Sequence, residues 1–305
     1  MKIGTLLPQI NTPVPGPESR AWVDRLAERE CPAITARRSR RASALGLADD
    51  DPIVWSEAVG SNVVDVDDNR YVDLTAGFGV ASVGHRNPRV VAAAQAQMER
   101  LVHVMGDAYP DTKRIELLEL LADKTGLHRA ILGSSGSDGV EAALKTGRMM
   151  SGRSGVLAFD SGYHGLSYGA LAVTGYHGAA FRGPFEAQLG EHVLRGQFGG
   201  PIPDLSNIGT VIVEPIQGRG GIRIPPAGWL RELADRTRAA GAVLVFDEVY
   251  TGFGRTGDWF AFQHEDVRPD ILVLGKGMAG GFPISACIGT AEAMDAWGAS
   301  QGEAL

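Results

Sequence analysis

Residues 242–281 read AVLVFDEVYTGFGRTGDWFAFQHEDVRPDILVLGKGMAGG, and their reading decides the fold. Two apolar runs, 242–246 and 271–274, are rich in Val, Ile and Leu and are bounded by Gly, Pro and charge. Short apolar runs of this kind are expected to be buried strands, and parallel ones, since both of their faces need cover. An acid pair, Asp247 and Glu248, follows the first run. Lys276 follows the second, inside Gly275-Lys276-Gly277. Ligands of open α/β sheets sit beyond the carboxyl ends of the strands. The stretch therefore places one acid and one amine at the same rim.

An acid and a lysine so placed suit pyridoxal phosphate. A lysine amine forms a Schiff base with its aldehyde. An acid keeps its ring nitrogen protonated, and the ring then draws electrons from a substrate carbanion. Two charged residues at strand ends are also ordinary in α/β proteins, so the pair alone leaves both readings open.

The composition bounds the rest. A chain of 305 residues can bury a large core as one large domain or two smaller ones. Apolar content of 44% and charged content of 21% are ordinary for a soluble globular protein. A net charge of -7 argues against a nucleic-acid surface. Cys31 and Cys287 have no framework or metal spacing and read as small buried hydrophobes. No apolar run approaches membrane-spanning length. Pro8 interrupts the short apolar run at the N-terminus, so no signal peptide is expected and the cytoplasm is the default compartment. The lysines are few: Lys2, Lys113, Lys124, Lys145 and Lys276, out of 29 Lys and Arg together. Arginine is the usual cation of this chain, and a lysine between two glycines after a buried strand stands out.

Residues 1–17 hold several prolines and read as an extended arm. Residues 19–44 have one helical pattern, with a basic run at Arg37, Arg38, Arg40 and Arg41 that fits a solvated or subunit-facing surface better than an anion site. Residues 53–57, 63–66 and 71–74 read as short strands, and Asp67-Asp68-Asn69 as the turn of a hairpin between the last two. Residues 76–85 read as a loop. Pro88 opens an amphipathic helix, and Asp111 or Thr112 caps another. Strands and helices then alternate to the end, the pattern of a parallel sheet covered on both faces.

Three further stretches end strands with chemistry. The strand 130–132 runs into Gly133-Ser134-Ser135-Gly136-Ser137-Asp138 and then a helix. A Gly/Ser turn at a helix N-terminus gathers N–H groups, hydroxyls and the positive end of the helix dipole, which makes an anion site; a plain capped helix has the same pattern. There is no P-loop signature. The strand 156–159 leads to Tyr163-His164-Gly165, where an aromatic side chain is placed to stack on a flat ring. No second histidine or thiol stands at ligand spacing from His164, so a metal is not expected. The strand 210–213 ends in Glu214-Pro215-Ile216-Gln217-Gly218, putting Glu214 and Gln217 at the rim as well.

Together these motifs resemble the class III aminotransferases. Ser135-Gly136-Ser137, Tyr163-His164-Gly165, Glu214-Pro215-Ile216-Gln217-Gly218, the run DEVYTGFGRTG at 247–257 and Gly275-Lys276-Gly277 stand in that family's order. The 4-aminobutyrate aminotransferases and their ω-amino-acid cousins are the branch they look most like. The resemblance implies an α/β fold of the aspartate-aminotransferase type (fold type I), with a mostly parallel central sheet flanked by helices. Residues 1–70 would form an N-terminal arm, helix and short strands, and 71–305 the pyridoxal-phosphate-binding large domain. The resemblance further implies Lys276 as the Schiff-base lysine and proton shuttle, and Asp247 as partner of the pyridine nitrogen. It implies Gly136 and Ser137, with Ser135 beside them, at the phosphate. Tyr163 and Val249 would lie on the two ring faces, and Gln217 at the phenolic oxygen. His164, Glu214 and Glu141 would support the site. The implied reaction moves an amino group from an ω-amino acid or similar amine to a 2-oxo acid. An aminomutase-like enzyme of the same fold and a truncated non-catalytic homologue stay open as alternatives.

Three features depart from the family. Leu166 stands where many 4-aminobutyrate enzymes have an arginine for the substrate carboxylate, so the substrate lacks that group or Arg182 or Arg219 supplies the charge. Arg219 stands where much of the family has a glutamate. The family's small C-terminal domain has no counterpart in the 305 residues, so the chain reads as a fragment or a natural truncation. Residues 75–84 (TAGFGVASVG) resemble the segment that enters a neighbouring subunit's site, which implies a homodimer.

Overall fold

The computed structural model describes residues 4–44, 46, 52–106 and 108–298; Lys2 lies outside them. The chain divides into two compact units, residues 1–100 and 101–305.

In the first unit, β1 (Trp55–Val59), β2 (Asn62–Asp65) and β3 (Arg70–Val72) form an antiparallel sheet in that order. The expected turn closes the β2–β3 hairpin. Asp65 Oδ1 accepts the N–H groups of Asp67 and Asn69 at 3.0 and 2.8 Å, and Asp68 takes a positive φ of 60°. The one helical pattern expected over 19–44 is instead two helices, Pro17–Ala27 and Pro32–Ala44. Pro32 has no N–H to donate and its ring crowds the preceding turn, so it begins a helix and cannot continue one. Of the basic run, Arg38 is engaged by Glu30 through both carboxylate oxygens, at 3.2 and 2.5 Å. The glycine-rich segment after β3 makes a tight turn at Ala76–Gly79, where Gly77 and Phe78 both have positive φ. Asp73 ties it down, accepting the N–H groups of Thr75 and Gly77 at 2.9 and 2.7 Å. Leu74, Phe78 and Val83 are left exposed.

The second unit is built on a seven-stranded sheet. Its strands are β4 (Arg129–Gly133), β5 (Gly155–Phe159), β6 (Val193–Gly196), β7 (Ile208–Val213), β8 (Val243–Asp247), β9 (Ile271–Leu274) and β10 (Ser285–Gly289). Their spatial order is β4-β10-β9-β8-β7-β5-β6. All neighbours from β9 to β6 are parallel, and β10 is antiparallel to both β4 and β9. Two strands that are each antiparallel to a third run in the same direction. The carboxyl ends of β4, β5, β7, β8 and β9 therefore open on one rim, as the sequence required.

Burial on both faces follows from the period of two. Ala158, Ile212, Val245 and Val273 turn one way, toward Val140 and Ala143 of the helix Gly136–Ser151. Phe159, Val213, Phe246 and Leu274 turn the other way, toward Trp229, Leu230 and Leu233 of the helix Trp229–Ala239. The first helix lies close on the sheet because Gly147 faces Thr210: a Cβ at Gly147 would lie 2.3 Å from the Thr210 hydroxyl. Close packing of that helix fixes its N-terminus at the rim. Among the described residues, no helix is long and apolar enough to cross a membrane.

Candidate active site

Lys276 stands two residues past the end of β9, after Gly275, and adopts a φ of +44°, a left-handed conformation that is strained for a side chain other than glycine. Its Nζ lies 5.2 Å from the centre of the Tyr250 ring. Burial pushes the Lys276 amine below its ordinary pKa of 10.5; Asp247 and Glu214 oppose the shift, while Arg255 and Arg219 add to it. Asp247 is the last residue of β8. Its Oδ2 lies 2.8 Å from Nδ1 of His164, with side chains only 4% and 1% exposed, and its Oδ1 accepts the Val249 N–H at 3.1 Å. A carboxylate facing Nδ1 favours the tautomer that carries the proton there. The His164 ring is thus a fixed donor behind Asp247. The backbone N–H of His164 is held in turn by the Thr174 hydroxyl at 3.1 Å.

Glu214, just past β7, is buried and accepts two backbone N–H groups, Tyr163 at 2.9 Å and Gly218 at 3.2 Å. Burial pushes its carboxyl up to about 7, against the lowering influence of His164 and with help from the Asp247 charge. The Glu214 side chain links the loop after β5 to the loop after β7. Tyr163 is thereby fixed through its backbone, and its ring meets Tyr176 and Phe181 edge-on, at 6.3 and 6.5 Å between centres. Gln217 is buried; its Nε2 donates to the Asp160 carbonyl at 2.6 Å, and its Oε1 has no partner among the described residues.

The third part of the rim is the start of the helix Gly136–Ser151. The helix begins two residues before the expected Asp138, because Ser135 and Asp138 form a reciprocal capping box. The Asp138 carboxylate takes the N–H groups of Ser134 and Ser135 at 3.0 and 2.9 Å. That leaves the N–H groups of Gly136 and Ser137 as the ones the helix end offers. A Cβ on Gly136 would come within 3.0 Å of Val249, and one on Gly275 within 3.4 Å of it, so Val249 is wedged between the loops that follow β4 and β9. The Ser137 hydroxyl accepts the Leu166 N–H at 3.1 Å. Gly165, with φ +128°, packs against it so closely that a Cβ would lie 2.1 Å from the hydroxyl oxygen. Glu141 accepts the N–H groups of Gly169 and Ala170 at 2.8 and 3.2 Å, which fixes the start of the helix Tyr168–Val173.

The geometry brings Ser137 to the Tyr163–Gly165 loop, Val249 to Gly136, His164 to Asp247, and Lys276 under the fields of Asp247 and Glu214. Thr174 and Tyr250 were missed by the sequence reading as parts of this arrangement. Thr174 carries no local signal, since its role is to receive a loop ten residues away. Tyr250 lies inside the 247–257 run, and only the fold turns its ring beneath Nζ. Leu166 is partly exposed and uncharged, and Arg182 faces Glu186 at 3.9 Å.

The model of the class-III aminotransferase family matches residues 47–192 and 204–304. The acetylornithine aminotransferase of Methanosarcina acetivorans is 41% identical over 243 residues, 77% of this chain and 60% of that protein. A transaminase of Sulfolobus acidocaldarius described as acting on [LysW]-aminoadipate semialdehyde and glutamate semialdehyde is 39% identical over 232 residues, 73% of this chain and 58% of that protein. Among solved structures, an amine transaminase from an uncultivated Pseudomonas species, in its PLP-bound form, superposes with a TM-score of 0.74 at 29% identity, covering 81% of this chain and 63% of that one. The chain thus spans about 60% of the length of the relatives it matches. With the family's model aligned along most of its length, and a fold-type I sheet carrying an acid and a lysine on one rim, the chain belongs to the class III aminotransferases.

Proposed function

We propose that this rim binds pyridoxal phosphate and serves a transaminase that moves an amino group from an ω-amino acid or similar amine to a 2-oxo acid. One observation carries the reading. A half-buried lysine with a depressed pKa shares a rim with a buried Asp–His pair and a helix end that offers two N–H groups. Pyridoxal phosphate, when bound, supplies an aldehyde that takes up amines and a ring that accepts electrons. The residues present fit it. Gly136 and Ser137 would bind its phosphate, with Ser135 beside them, at the positive end of a long helix. Tyr163 and Val249 would flank the ring, and the second N–H of the Gln217 amide would reach its phenolic oxygen. Asp247 would hold a proton on the ring nitrogen, with His164 fixing the carboxylate. Lys276 Nζ would anchor the group, leave when a donor arrives, and carry a proton away from the donor's carbon. The lowered pKa suits that last role, because a base must be unprotonated near the working pH. The 4-aminobutyrate branch and the acetylornithine branch both supply donors with an amine and a carboxylate at opposite ends, and the reading covers either.

A homodimer belongs to the same proposal. Leu74, Phe78 and Val83 each stay exposed within ten residues around the turn at Ala76–Gly79, apolar area that a partner subunit would cover. A cytoplasmic location is proposed as well, supported by two cysteines that are both free.

Borohydride reduction of the protein mixed with pyridoxal phosphate tests the function. The label should fall on Lys276 and vanish in Lys276→Ala. Labelling at Lys145 or Lys124 in place of Lys276 would sink the assignment.

A further inference from the structure

The loop after β8 turns one aromatic ring toward the amine that lies past β9. Nζ of Lys276 is 5.2 Å from the centre of the Tyr250 ring, inside the roughly 6 Å over which a ring face attracts a cation. Tyr250 is half-buried, and its place is set by the protein alone. Val249, just before it, donates its N–H to Asp247 at 3.1 Å. Thr251, just after it, donates its hydroxyl to the buried carboxyl group of Glu248 at 2.9 Å. The same carboxyl accepts the N–H groups of Ala261 and Phe262 at 2.7 and 2.8 Å, so both ends of the loop are tied to one acid. Gly218 presses on the ring from the loop after β7, where a Cβ would lie 2.5 Å from it. The guanidinium of Arg255 lies 5.4 Å from the same ring centre.

Lys276 sits among opposed influences. Burial pushes its amine down, Asp247 and Glu214 oppose that shift, and Arg255 and Arg219 add to it. An amine that takes a proton from a donor's carbon and later returns it has to exist in both forms at one place. A ring face attracts the ammonium through its quadrupole and leaves the neutral amine nearly unaffected. It offsets part of the cost of burial without a further negative charge, which would hold the proton more tightly than a shuttle can use. We propose that Tyr250 is a positioning residue for Lys276, whose ring face keeps the detached amine within reach of the site and favours its protonated form. The inference rests on the transaminase reading and extends it to a side chain that the reading leaves without a role.

The experiment reads the Lys276 amine directly, in the full chain freed of cofactor. Besides Lys276 the chain has only Lys2, Lys113, Lys124 and Lys145, so isotope at every lysine Cε gives few NMR signals, and Lys276→Ala identifies the one that matters. That signal is followed against pH. Tyr250→Leu should lower the Lys276 midpoint by about half a unit to one unit, a hold on the proton about three- to tenfold weaker. Tyr250→Phe should keep the wild-type midpoint, because the face acts and the hydroxyl does not. Pentafluorophenylalanine at position 250 keeps the shape of the ring with an electron-poor face; it should lower the midpoint as leucine does, and it serves where leucine disturbs the fold. Asp247, Glu214, Arg255 and Arg219 are present in every variant, so the differences read the ring. A midpoint that rises in Tyr250→Leu would show that the ring only keeps water from the amine, and would overturn the proposal. A pentafluoro variant that titrates like the wild type would overturn it too, as would a loss in Tyr250→Phe equal to that in Tyr250→Leu. The borohydride label separates the two levels: a wild-type protein without label on Lys276 refutes the transaminase reading itself, whereas a labelled protein whose Lys276 midpoint ignores the ring refutes this inference alone.

Discussion

Glu214 makes the stability of the cofactor-free protein depend on pH in a way that a single substitution isolates. Its carboxyl is pushed from an ordinary 4.5 up to about 7, first by burial and then by the charge of Asp247. The fold therefore prefers the protonated form. Below pH 4.5 the folded and unfolded chains both hold the proton. Between that value and about 7 only the folded chain holds it, so the fold loses stability as pH rises through this window. At ~1.4 kcal/mol per unit the full loss is about 3 kcal/mol, of which about 2.5 kcal/mol falls between pH 5 and pH 8. Glu214→Gln keeps the shape and cannot ionise. The amide accepts at one end only, so either Tyr163 or Gly218 loses its acceptor, at a cost of about 1 kcal/mol. The two proteins should then unfold together near pH 5, and the variant should be ahead by about 2 kcal/mol at pH 8. Urea unfolding followed by circular dichroism measures the difference, and comparing one pair of proteins at each pH cancels the other titrating groups. Parallel pH curves would show that the carboxyl is ionised in the fold and would refute the reasoning. So would a wild type that gains on the variant as pH rises.

Other consequences follow from the same geometry. Gly165→Ala puts a Cβ where the Ser137 hydroxyl stands, at a φ that only glycine adopts freely; pyridoxal phosphate should bind about tenfold or more weakly, measured by equilibrium dialysis. Asp247→Asn should keep the borohydride label on Lys276 yet slow amino transfer by about a hundredfold or more, because an amide cannot stabilise a charged ring nitrogen; near-normal turnover would remove Asp247 from that role. If residues 75–84 complete a partner's site, sedimentation should show a dimer whose association strengthens with cofactor, and a monomer that holds the cofactor tightly at every concentration would refute the shared site.

The sheet was legible because its strands are buried on both faces. β8 and β9 are apolar runs and β7 is buried throughout despite Gly209 and Thr210, and each is followed at once by a charged or glycine-rich turn, so strand, direction and rim could be read together. Lys276 and Asp247 stood out on that pattern. Other features left weaker traces. β6 is short and carries Arg195, whose guanidinium reaches back to the end of the helix Tyr168–Val173, so it lacks the apolar signature of a central strand. The break between the first two helices hung on Pro32 inside an otherwise continuous pattern. The supports of the site were the least legible. Glu214 holding Tyr163, Thr174 holding His164 and Glu141 holding Gly169 join segments 10 to 51 residues apart; the resemblance named Glu214 and Glu141 as supports, but nothing local in the sequence marks which distant backbone N–H a side chain accepts.

That pattern of support explains how a rim made of loops is held rigid. Parallel strands end together, so the turns after β5, β7, β8 and β9 must lie side by side, each with backbone groups that the sheet no longer pairs. Buried acids meet that demand here. Glu214 bridges the turns after β5 and β7, and Asp247 bridges the turns after β5 and β8 through His164. The two acids stay buried by different means: Glu214 holds its proton up to about pH 7, and Asp247 faces His164 and takes a backbone N–H. The groups that stiffen the loops are thus the ones whose charges set the field at Nζ of Lys276. A substitution among them moves geometry and chemistry together.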